Sequence, residues 1–401
     1  MKTKTKKALI IIIVVLFFIG VVLSMPFLSF TINNSKQLID NQLSVTGTIK
    51  EIRNNTGYRD YYKNKKKDVV SLYYRVTKKD VVTVNNSQVV LSKEGYLVEP
   101  VNKASDEDVE NYCKNINELK KCSNENGANF LYVYAPDKPQ FVTYPNGVDN
   151  YSVQNYELFI NNLKNLNVET LDLSKEMEKE DKALNDMFFI TDHHWKPEAG
   201  FWATGKICQK LSENYGFNYN LNTTDINNYN IKTYKNWFLG STGKSVGKYY
   251  SPLGVDDYLL FTPKFDTDIT ETRPFENETK SGDFSNTLIE SSRIKYKNLY
   301  FYNTYAAYTG GDYRLQITVN NKAENDDIIL VIRDSFACVV TPFLTLNCKE
   351  VHSIDIRNYE YLGKDKIDLK SYIETVNPDY VIVLYHSVPT QDNSGKYEFL
   401  E

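Results

Sequence analysis

After about residue 98, the apolar residues fall into compact runs that alternate with helical or loop segments. Ser105, which three acidic residues follow, predicts the capped start of a helix that ends near Cys122. A second helix is predicted over Asn155–Asn165. Strands are predicted at five runs, namely Phe130–Ala135, Val168–Leu173, Ile328–Ile332, Glu350–Ile356 and Tyr380–Tyr385. Such runs are typical of a parallel sheet with both faces covered, so the pattern predicts an α/β domain with irregular insertions over residues 218–295.

The N-terminal segment has a different pattern. Lysines at positions 2, 4, 6 and 7 precede an uncharged apolar run over Ala8–Phe30, which is slightly longer than the roughly 20 residues that span a bilayer core. We therefore predict a single transmembrane anchor over residues 8–30. Because the lysines flank its N-terminal side, that end is expected in the cytoplasm and the rest of the chain outside the cell. A cleaved signal peptide is the alternative, but the run is long for one and lacks a clear cleavage site.

Between the anchor and the α/β domain, the sequence predicts a polar stalk and a small β-rich lead-in. Short strands are predicted over Val69–Val76, Val81–Val84 and Val89–Leu91, because β-branched and aromatic residues cluster there and turn-forming residues separate them. The predicted organisation is a cytoplasmic tail and anchor over residues 1–30, the stalk and lead-in over 31–97, and the α/β domain over 98–401.

The composition of the chain indicates which classes of partner it is not expected to bind. The 401 residues are 41% hydrophobic and 24% charged, which is ordinary for a folded protein, and the formal net charge is -4. Without a basic footprint the chain is not expected to bind nucleic acid. No pair of its five cysteines has the spacing of a metal site, and we interpret them as small apolar residues of the core.

Two segments carry candidate chemistry. Asp192, His193 and His194 are consecutive, and they hold two of the four histidines in the chain. An imidazole moves protons near neutral pH, and a carboxylate bonded to its far nitrogen fixes its tautomer. Far downstream, the buried strand that precedes Asp334 leads into a tight turn carrying Ser335, where an α/β fold displays a nucleophile. Residues two apart in a loop or strand point the same way, which favours His194 over His193 as the partner of Asp192.

Two other interpretations of these motifs are less favoured. Gly243-Lys244-Ser245 ends like a phosphate-binding loop, but Phe238 stands where the first glycine is required. Asp-His-His is similar to the core of metal-dependent phosphoesterases, which need further His and Asp motifs. Only His352 and His386 remain, and we interpret each as a surface or strand-end histidine and not as a metal ligand. No metal or cofactor is therefore expected.

The sequence resembles the DHHW family of extracellular proteins, a branch of the SGNH (GDSL-like) hydrolase superfamily, and is similar to the SGNH domains of alginate O-acetyltransferases. The resemblance implies a three-layer α/β/α domain with a mostly parallel sheet. The segments that carry it are Asp192–Trp195, Phe238–Lys244, Tyr305–Leu315 and Arg333–Phe336.

Site residues follow from this resemblance as expectations. It implies that Asp192 orients His194, that His194 is the general base and that Ser335 is the nucleophile. The expected oxyanion donors are the backbone N–H of Ser335 and one from the Gly240-Ser241 loop. Arg333 replaces the glycine usual in this turn, and either an anionic substrate or a salt bridge would explain it. Arg357 and His193 are further candidates for contact with the oxyanion or the substrate.

The resulting functional hypothesis is a membrane-anchored, extracytoplasmic O-acyltransferase or esterase, most simply for acetyl groups, that acts on a cell-surface or secreted polysaccharide. Transfer and hydrolysis stay open, because they differ in whether the acceptor site excludes water. A membrane acyl-carrier protein would be the natural partner for transfer. The alternative is a non-catalytic glycan-binding or assembly protein on the same scaffold.

Overall fold

The computed structural model describes residues 56–357, 367–386 and 397–400. The predicted anchor over residues 8–30 and the first part of the predicted stalk lie outside these residues. Among the described helices, none is both long enough and apolar enough to cross a membrane.

The chain forms two compact units, one that ends at Tyr73 and one that starts at Tyr74. The described part of the first unit is helical and belongs to helix α1 (Thr56–Val76). The strand predicted over Val69–Val76 is therefore wrong. The β-branched residues there do not alternate with polar ones, so they lack the period of a half-buried strand, and the lysine-rich sequence before them favours a helix.

The second unit contains the remaining elements. Its helices are α2 (Asp106–Glu125), α3 (Ser152–Asn165), α4 (Leu173–Lys179), α5 (Leu184–Met187), α6 (Pro197–Tyr215), α7 (Ser241–Val246), α8 (Phe284–Thr287), α9 (Thr341–Thr345) and α10 (Leu369–Val376). Its strands are β1 (Val81–Val84), β2 (Ser87–Leu91), β3 (Leu97–Val98), β4 (Asn129–Ala135), β5 (Thr170–Asp172), β6 (Tyr229–Phe238), β7 (Asp256–Pro263), β8 (Ile269–Arg273), β9 (Glu278–Gly282), β10 (Leu315–Asn320), β11 (Ile328–Arg333), β12 (Glu350–Ile354) and β13 (Tyr380–His386).

Eight strands form the main sheet in the order β5-β4-β13-β11-β12-β10-β8-β9. The first five strands in this order are parallel to their neighbours, and the last three are added in antiparallel pairings. The predicted mostly parallel α/β sheet is confirmed, and the predicted helices and strands that build it lie where the sequence indicated, with ends shifted by a few residues.

Both faces of this sheet are buried. Phe130, Leu330 and Val381 pack with helices α2, α3 and α10, whereas the next residue of each strand packs on the opposite face with helices α6 and α9. The period of two residues along a strand therefore separates two apolar clusters, which explains why these strands are apolar throughout.

The region predicted to be irregular, residues 218–295, contains four strands that the sequence analysis did not predict, separated by short helices and loops. It contains the antiparallel hairpin β6–β7 and the two edge strands β8 and β9. The sequence signal is weak because most side chains of β6 and several of β9 are exposed and polar.

A small sheet of β1, β2 and β3 forms the lead-in. Strands β1 and β2 are joined by Asn85 and Asn86, which both have positive φ, as a two-residue hairpin turn requires. In the main sheet, the carboxyl ends of β4, β11 and β13 lie side by side, because these strands are parallel neighbours. Ligands of open α/β sheets bind at that edge, so it is where a functional site is expected.

Candidate active site

The turn after β11 presents Ser335. Asp334 caps the short 3-10 helix Ser335–Val339 by accepting a hydrogen bond from the Phe336 N–H at 3.0 Å. Its other carboxylate oxygen accepts bonds from the backbone N–H of His386 at 3.0 Å and from Nδ1 of His386 at 2.7 Å. Asp334 is fully buried, while Ser335 keeps 9% of its surface exposed at the edge of the sheet.

Helix α6 packs directly on this turn. Pro197 begins the helix, and its fixed φ suits a first helical position. A Cβ atom at Gly200 would overlap the carbonyl oxygen of Val339, so the close approach of α6 to the 3-10 helix requires glycine there. The segment before α6, which contains the Asp-His-His-Trp motif, is thereby held against the serine turn.

Trp195 and Tyr305 tie the motif to the serine turn through one carbonyl group. The indole N–H of Trp195 donates to the carbonyl oxygen of Phe336 at 2.9 Å, and the hydroxyl of Tyr305 donates to the same oxygen at 3.4 Å. The ring of Tyr305 also stacks on His194, with centroids 4.0 Å apart. The two aromatic rings therefore fix the imidazole relative to the serine.

Asp192, His194 and Ser335 form one hydrogen-bonded chain. Nε2 of His194 lies 2.8 Å from Oγ of Ser335, and its Nδ1 is hydrogen-bonded to the Asp192 carboxylate. The backbone N–H of His194 donates to the same carboxylate oxygen at 3.1 Å. With Nδ1 protonated toward Asp192, Nε2 offers a lone pair to the serine hydroxyl, which is the arrangement that activates a serine nucleophile.

The Asp192 carboxylate is itself supported. Ser241 donates its backbone N–H to the second carboxylate oxygen at 2.6 Å. Burial alone would raise the pKa of Asp192, but the adjacent His194 and His193 rings, together with the hydrogen bonds, hold it well below its usual value. Asp192 is therefore an anion throughout the neutral range.

A buried lysine lies beneath the motif. Nζ of Lys138 donates to the backbone carbonyls of Asp192 at 2.5 Å and of Phe189 at 2.9 Å. Burial lowers the pKa of Lys138 to about 8, although Asp256 and Asp192 oppose the shift. Lys138 follows β4 at the carboxyl edge of the sheet, so it anchors the motif to the central strands.

Asp256 holds the other side of the motif. Its carboxylate accepts the backbone N–H groups of Ile190 at 2.6 Å and of Thr191 at 2.9 Å, and the Thr191 hydroxyl at 2.5 Å. Sequence reasoning missed Lys138, Asp256 and the stacking role of Tyr305. Each of these residues lies far from the motif in the sequence and belongs to no motif that the sequence analysis used for it. The one available signal was the position of Lys138 just after a predicted parallel strand.

The Gly240-Ser241 loop supports Asp192 instead of supplying an oxyanion donor, so that expectation is wrong. The Gly240 N–H donates to the Thr191 hydroxyl at 2.9 Å, and the Ser241 N–H is bonded to Asp192. A Cβ atom at position 240 would overlap Asp192, which explains the glycine. The Ser335 N–H as an oxyanion donor stays a prediction.

Arg333 is a structural residue. Its side chain is 1% exposed, is paired with Asp312, lies 3.8 Å from Asp355 and donates from Nε to the Ser353 hydroxyl at 3.1 Å. Of the two explanations offered by the sequence, the structure shows the salt bridge, and binding of an anionic substrate stays a prediction. Arg357 binds Asp355 through Nε at 2.9 Å and a terminal nitrogen at 2.6 Å, so it belongs to the same charge cluster, and its contact with substrate stays a prediction.

His193 does not contact Ser335. Its ring stacks on His194 with centroids 3.8 Å apart, its Nδ1 lies 3.3 Å from the Ser241 hydroxyl, and its side chain is 47% exposed. Desolvation and the neighbouring His194 lower the pKa of His193, which keeps it neutral. The geometry thus assigns the serine contact to His194, while His193 forms part of a wall open to solvent.

The sequence model of the family described as an SGNH hydrolase-like domain of the acetyltransferase AlgX matches residues 92–230, which include Asp192 and His194. Residues 92–230 are therefore similar to an SGNH hydrolase-like domain. The resemblance inferred from the sequence is thereby confirmed, although Ser335 lies beyond the matched residues.

Solved structures share the fold of this SGNH-like domain. Bacillus cereus PatB1 with a sulfonyl adduct superposes with a TM-score of 0.63 at 21% identity, covering 79% of this chain and 100% of PatB1. A DHHW family protein from Eubacterium siraeum gives a TM-score of 0.58 at 19% identity, covering 80% of this chain and 98% of that protein. No curated protein sequence matches the chain.

The contacts around the motif favour neither the metal-site interpretation nor the phosphate-binding interpretation. Ligand atoms of Asp192, His193 and His194 lie within 4.8 Å of one another. However, both ring nitrogens of His194 are hydrogen-bonded, to Asp192 and to Ser335, so a metal would have to displace the serine contact. Lys244 lies in α7 and donates to the carbonyl of Tyr302 at 2.8 Å, which is not the setting of a phosphate-binding lysine.

A cleft of about 790 Å³ opens beside the hydrogen-bonded chain of Asp192, His194 and Ser335, since its lining includes His193 and Ser241. Its inner end is formed by His193, Ser241, Thr242 and His386. Its outer wall is formed by the β1–β2 hairpin turn, the residues around β3 and the start of the segment after β4, namely Asn86–Gln88, Leu97–Asn102 and Asp137–Pro139. The lead-in therefore supplies one wall, made of both polar and apolar residues, of a cleft that includes His193 and His386.

Proposed function

We propose that the chain is a membrane-anchored, extracytoplasmic O-acetyltransferase or acetylesterase that acts on a cell-surface or secreted polysaccharide through Asp192, His194 and Ser335. The observation that carries this proposal is the 2.8 Å contact between His194 Nε2 and Ser335 Oγ, with the Asp192 carboxylate on the far ring nitrogen. The match to a domain described for an acetyltransferase supports acetyl as the group.

In the first half-reaction, Ser335 Oγ attacks the carbonyl carbon of an acetyl donor while His194 Nε2 takes the hydroxyl proton. The tetrahedral intermediate collapses, the bond to the leaving group breaks, and His194 returns the proton to that group. Asp192 stabilises the imidazolium that forms in between. The product is an acetyl ester on Ser335.

In the second half-reaction, a hydroxyl of the acceptor attacks the acetyl carbonyl and His194 takes its proton. Collapse breaks the ester bond to Ser335, and the proton goes back to Oγ. A sugar hydroxyl gives transfer and water gives hydrolysis. The apolar run at residues 8–30 supports a membrane anchor, and a membrane acyl-carrier protein would supply acetyl groups to the outer face.

Mass spectrometry of the full chain after incubation with 4-nitrophenyl acetate tests this mechanism. We expect one acetyl group on the peptide that contains Ser335, and none on that peptide in Ser335→Ala. His194→Ala should slow release of nitrophenol by at least about 10²-fold, the usual contribution of a general base. His352→Ala is the matched control, because that imidazole is bonded to Tyr372 and Glu350 away from the serine.

Absence of the adduct in the wild-type protein would reject the mechanism. Polysaccharide binding that persists in His194→Ala, together with no ester turnover in the wild type, would favour the non-catalytic glycan-binding alternative.

A further inference from the structure

A second Asp–His pair adjoins the nucleophile. Asp334 and His386 follow β11 and end β13, two parallel neighbours, so the sheet brings them together. The buried Asp334 carboxylate accepts both the backbone N–H and the ring N–H of His386. The imidazole also stacks on Phe336 with centroids 4.1 Å apart and an interplanar angle of 9°. His386 is therefore held as rigidly as His194.

The orientation of this ring leaves one nitrogen for a ligand. Because Nδ1 donates to a carboxylate, the neutral imidazole carries its lone pair on Nε2. The side chain of His386 is 18% exposed and lines the inner end of the cleft, where its ring centroid lies 6.0 Å from that of His193. The cleft thus contains a fixed hydrogen-bond acceptor that is bonded to Asp334 and stacked on Phe336, the two residues that flank Ser335.

The remaining cleft wall is mixed. Its apolar part consists of Leu97, Val98, Pro100, Val101 and Pro139, and its polar part does not direct a cation at the ligand. Asn86, Ser87 and Gln88 contribute an exposed amide, a hydroxyl and a second amide from the hairpin turn. Glu99 and Asp137 add carboxylates. Lys138 lines the cleft, but its ammonium group is directed to two backbone carbonyls, as described above.

This combination of groups selects a class of ligand. Amides and hydroxyls exchange hydrogen bonds with sugar hydroxyls, whereas two carboxylates repel a ligand that carries its own negative charges. A saccharide with many hydroxyls and no carboxylates matches the wall, and a polyuronate does not.

We propose that this cleft is the acceptor subsite for a carboxylate-free saccharide and that His386 Nε2 positions the accepting hydroxyl by receiving a hydrogen bond from it. The inference rests on the proposed acetyl-Ser335 mechanism and specifies its second half. His194 removes the proton from the accepting hydroxyl, and His386 directs that hydroxyl, in preference to water, toward the acetyl carbonyl. His386 is thus a residue that sets the ratio of transfer to hydrolysis.

The test follows the fate of the acetyl group in the full chain. 4-Nitrophenyl acetate is the donor, and cellohexaose, a chitosan hexamer or a hexagalacturonate is the acceptor. Acetylated saccharide and free acetate are quantified together. We expect wild-type transfer to cellohexaose or the chitosan hexamer to exceed transfer to the hexagalacturonate by at least about tenfold, the equivalent of one lost hydrogen bond to a charged group.

His386→Asn is the decisive variant, because its amide can keep the bond to Asp334 but lacks an atom at the position of Nε2. We expect its ratio of transfer to hydrolysis to fall by about tenfold. His352→Asn is the matched control and should keep the wild-type ratio. Gln88→Ala, at the hairpin turn, should raise the KM for the acceptor while the ratio at saturating acceptor is retained.

An unchanged ratio in folded His386→Asn would overturn the role of His386, and equal transfer to the hexagalacturonate would overturn the ligand class. Acetylation of Ser335 without transfer to any of the three saccharides would overturn the acceptor subsite. Failure of the underlying mechanism looks different, because Ser335 then acquires no acetyl group at all.

Discussion

Substituting Gly240 by alanine tests whether the loop before α7 orients the catalytic aspartate. Gly240 has φ of -71°, so alanine can adopt the backbone conformation and only space is limiting. Its Cβ atom would overlap Cβ, Cα and a carboxylate oxygen of Asp192. Either Asp192 or the loop must therefore move, and the bond from the Ser241 N–H to the carboxylate is stretched or lost.

The size of the effect follows from these contacts. A methyl group forced into a packed site costs about 1–3 kcal/mol, and a lost hydrogen bond to a charged group costs about 1.5–3 kcal/mol. If the displaced carboxylate stabilises the transition state less by a similar free energy, because it orients His194 less well, the rate falls about 10- to 100-fold. About 1.4 kcal/mol corresponds to a factor of ten. Release of nitrophenol from 4-nitrophenyl acetate measures the rate, and thermal unfolding measures the cost to stability.

Gly205→Ala is the matched control. Gly205 lies inside α6, where a Cβ atom would meet its nearest neighbour, Thr224, at 3.7 Å, an ordinary contact. Alanine there should stabilise the helix by about 0.5–1 kcal/mol and leave the rate unchanged. Wild-type activity in Gly240→Ala would refute the reasoning, because the carboxylate could then shift without consequence for the serine.

Two further predictions concern buried charges. Between about pH 8, the folded pKa of Lys138, and its unfolded pKa of about 10.4, the unfolded chain binds more protons. The unfolding free energy of the wild type, relative to that of Lys138→Met, should therefore rise by about 3 kcal/mol as pH increases across this window. Denaturant titrations at several pH values measure both free energies, and a difference between the two proteins that does not change with pH would contradict the prediction. Arg333→Met leaves Asp312 and Asp355 without one of their cations, so we expect a loss of about 3–5 kcal/mol of unfolding free energy. A raised KM at full stability would instead mean that Arg333 binds substrate.

The sequence predicted the strands that are buried on both faces, because such strands need apolar residues at nearly every position and therefore form continuous apolar runs. Ile328–Arg333 and Tyr380–His386 are examples, since successive residues of each pack into opposite clusters. Strand β6 was missed for the converse reason, as its exposed polar side chains leave the strand dependent on pairing with β7. A single sequence carries no local trace of such pairing.

The candidate site likewise contains residues that the sequence predicted and residues that only the fold defines. Asp192 and His194 lie two residues apart, so local geometry sufficed to pair them, and the strand-turn pattern singled out Ser335. Their catalytic roles stay predictions that the contacts among these three side chains support. The groups that hold them, such as Lys138 and Asp256, come from other parts of the chain and are defined only by the fold.

Strand β13 occupies the middle of the parallel sheet, between β4 and β11, although it is made from residues 380–386. During synthesis, the edges of β4 and β11 that face β13 stay unpaired until residues 380–386 emerge, and open edges of this kind invite intermolecular association. The same late insertion delivers His386 to Asp334 and completes the edge that presents Ser335. A chain truncated before β13 would therefore lack the group that His386 contributes to the Asp334 carboxylate beside Ser335.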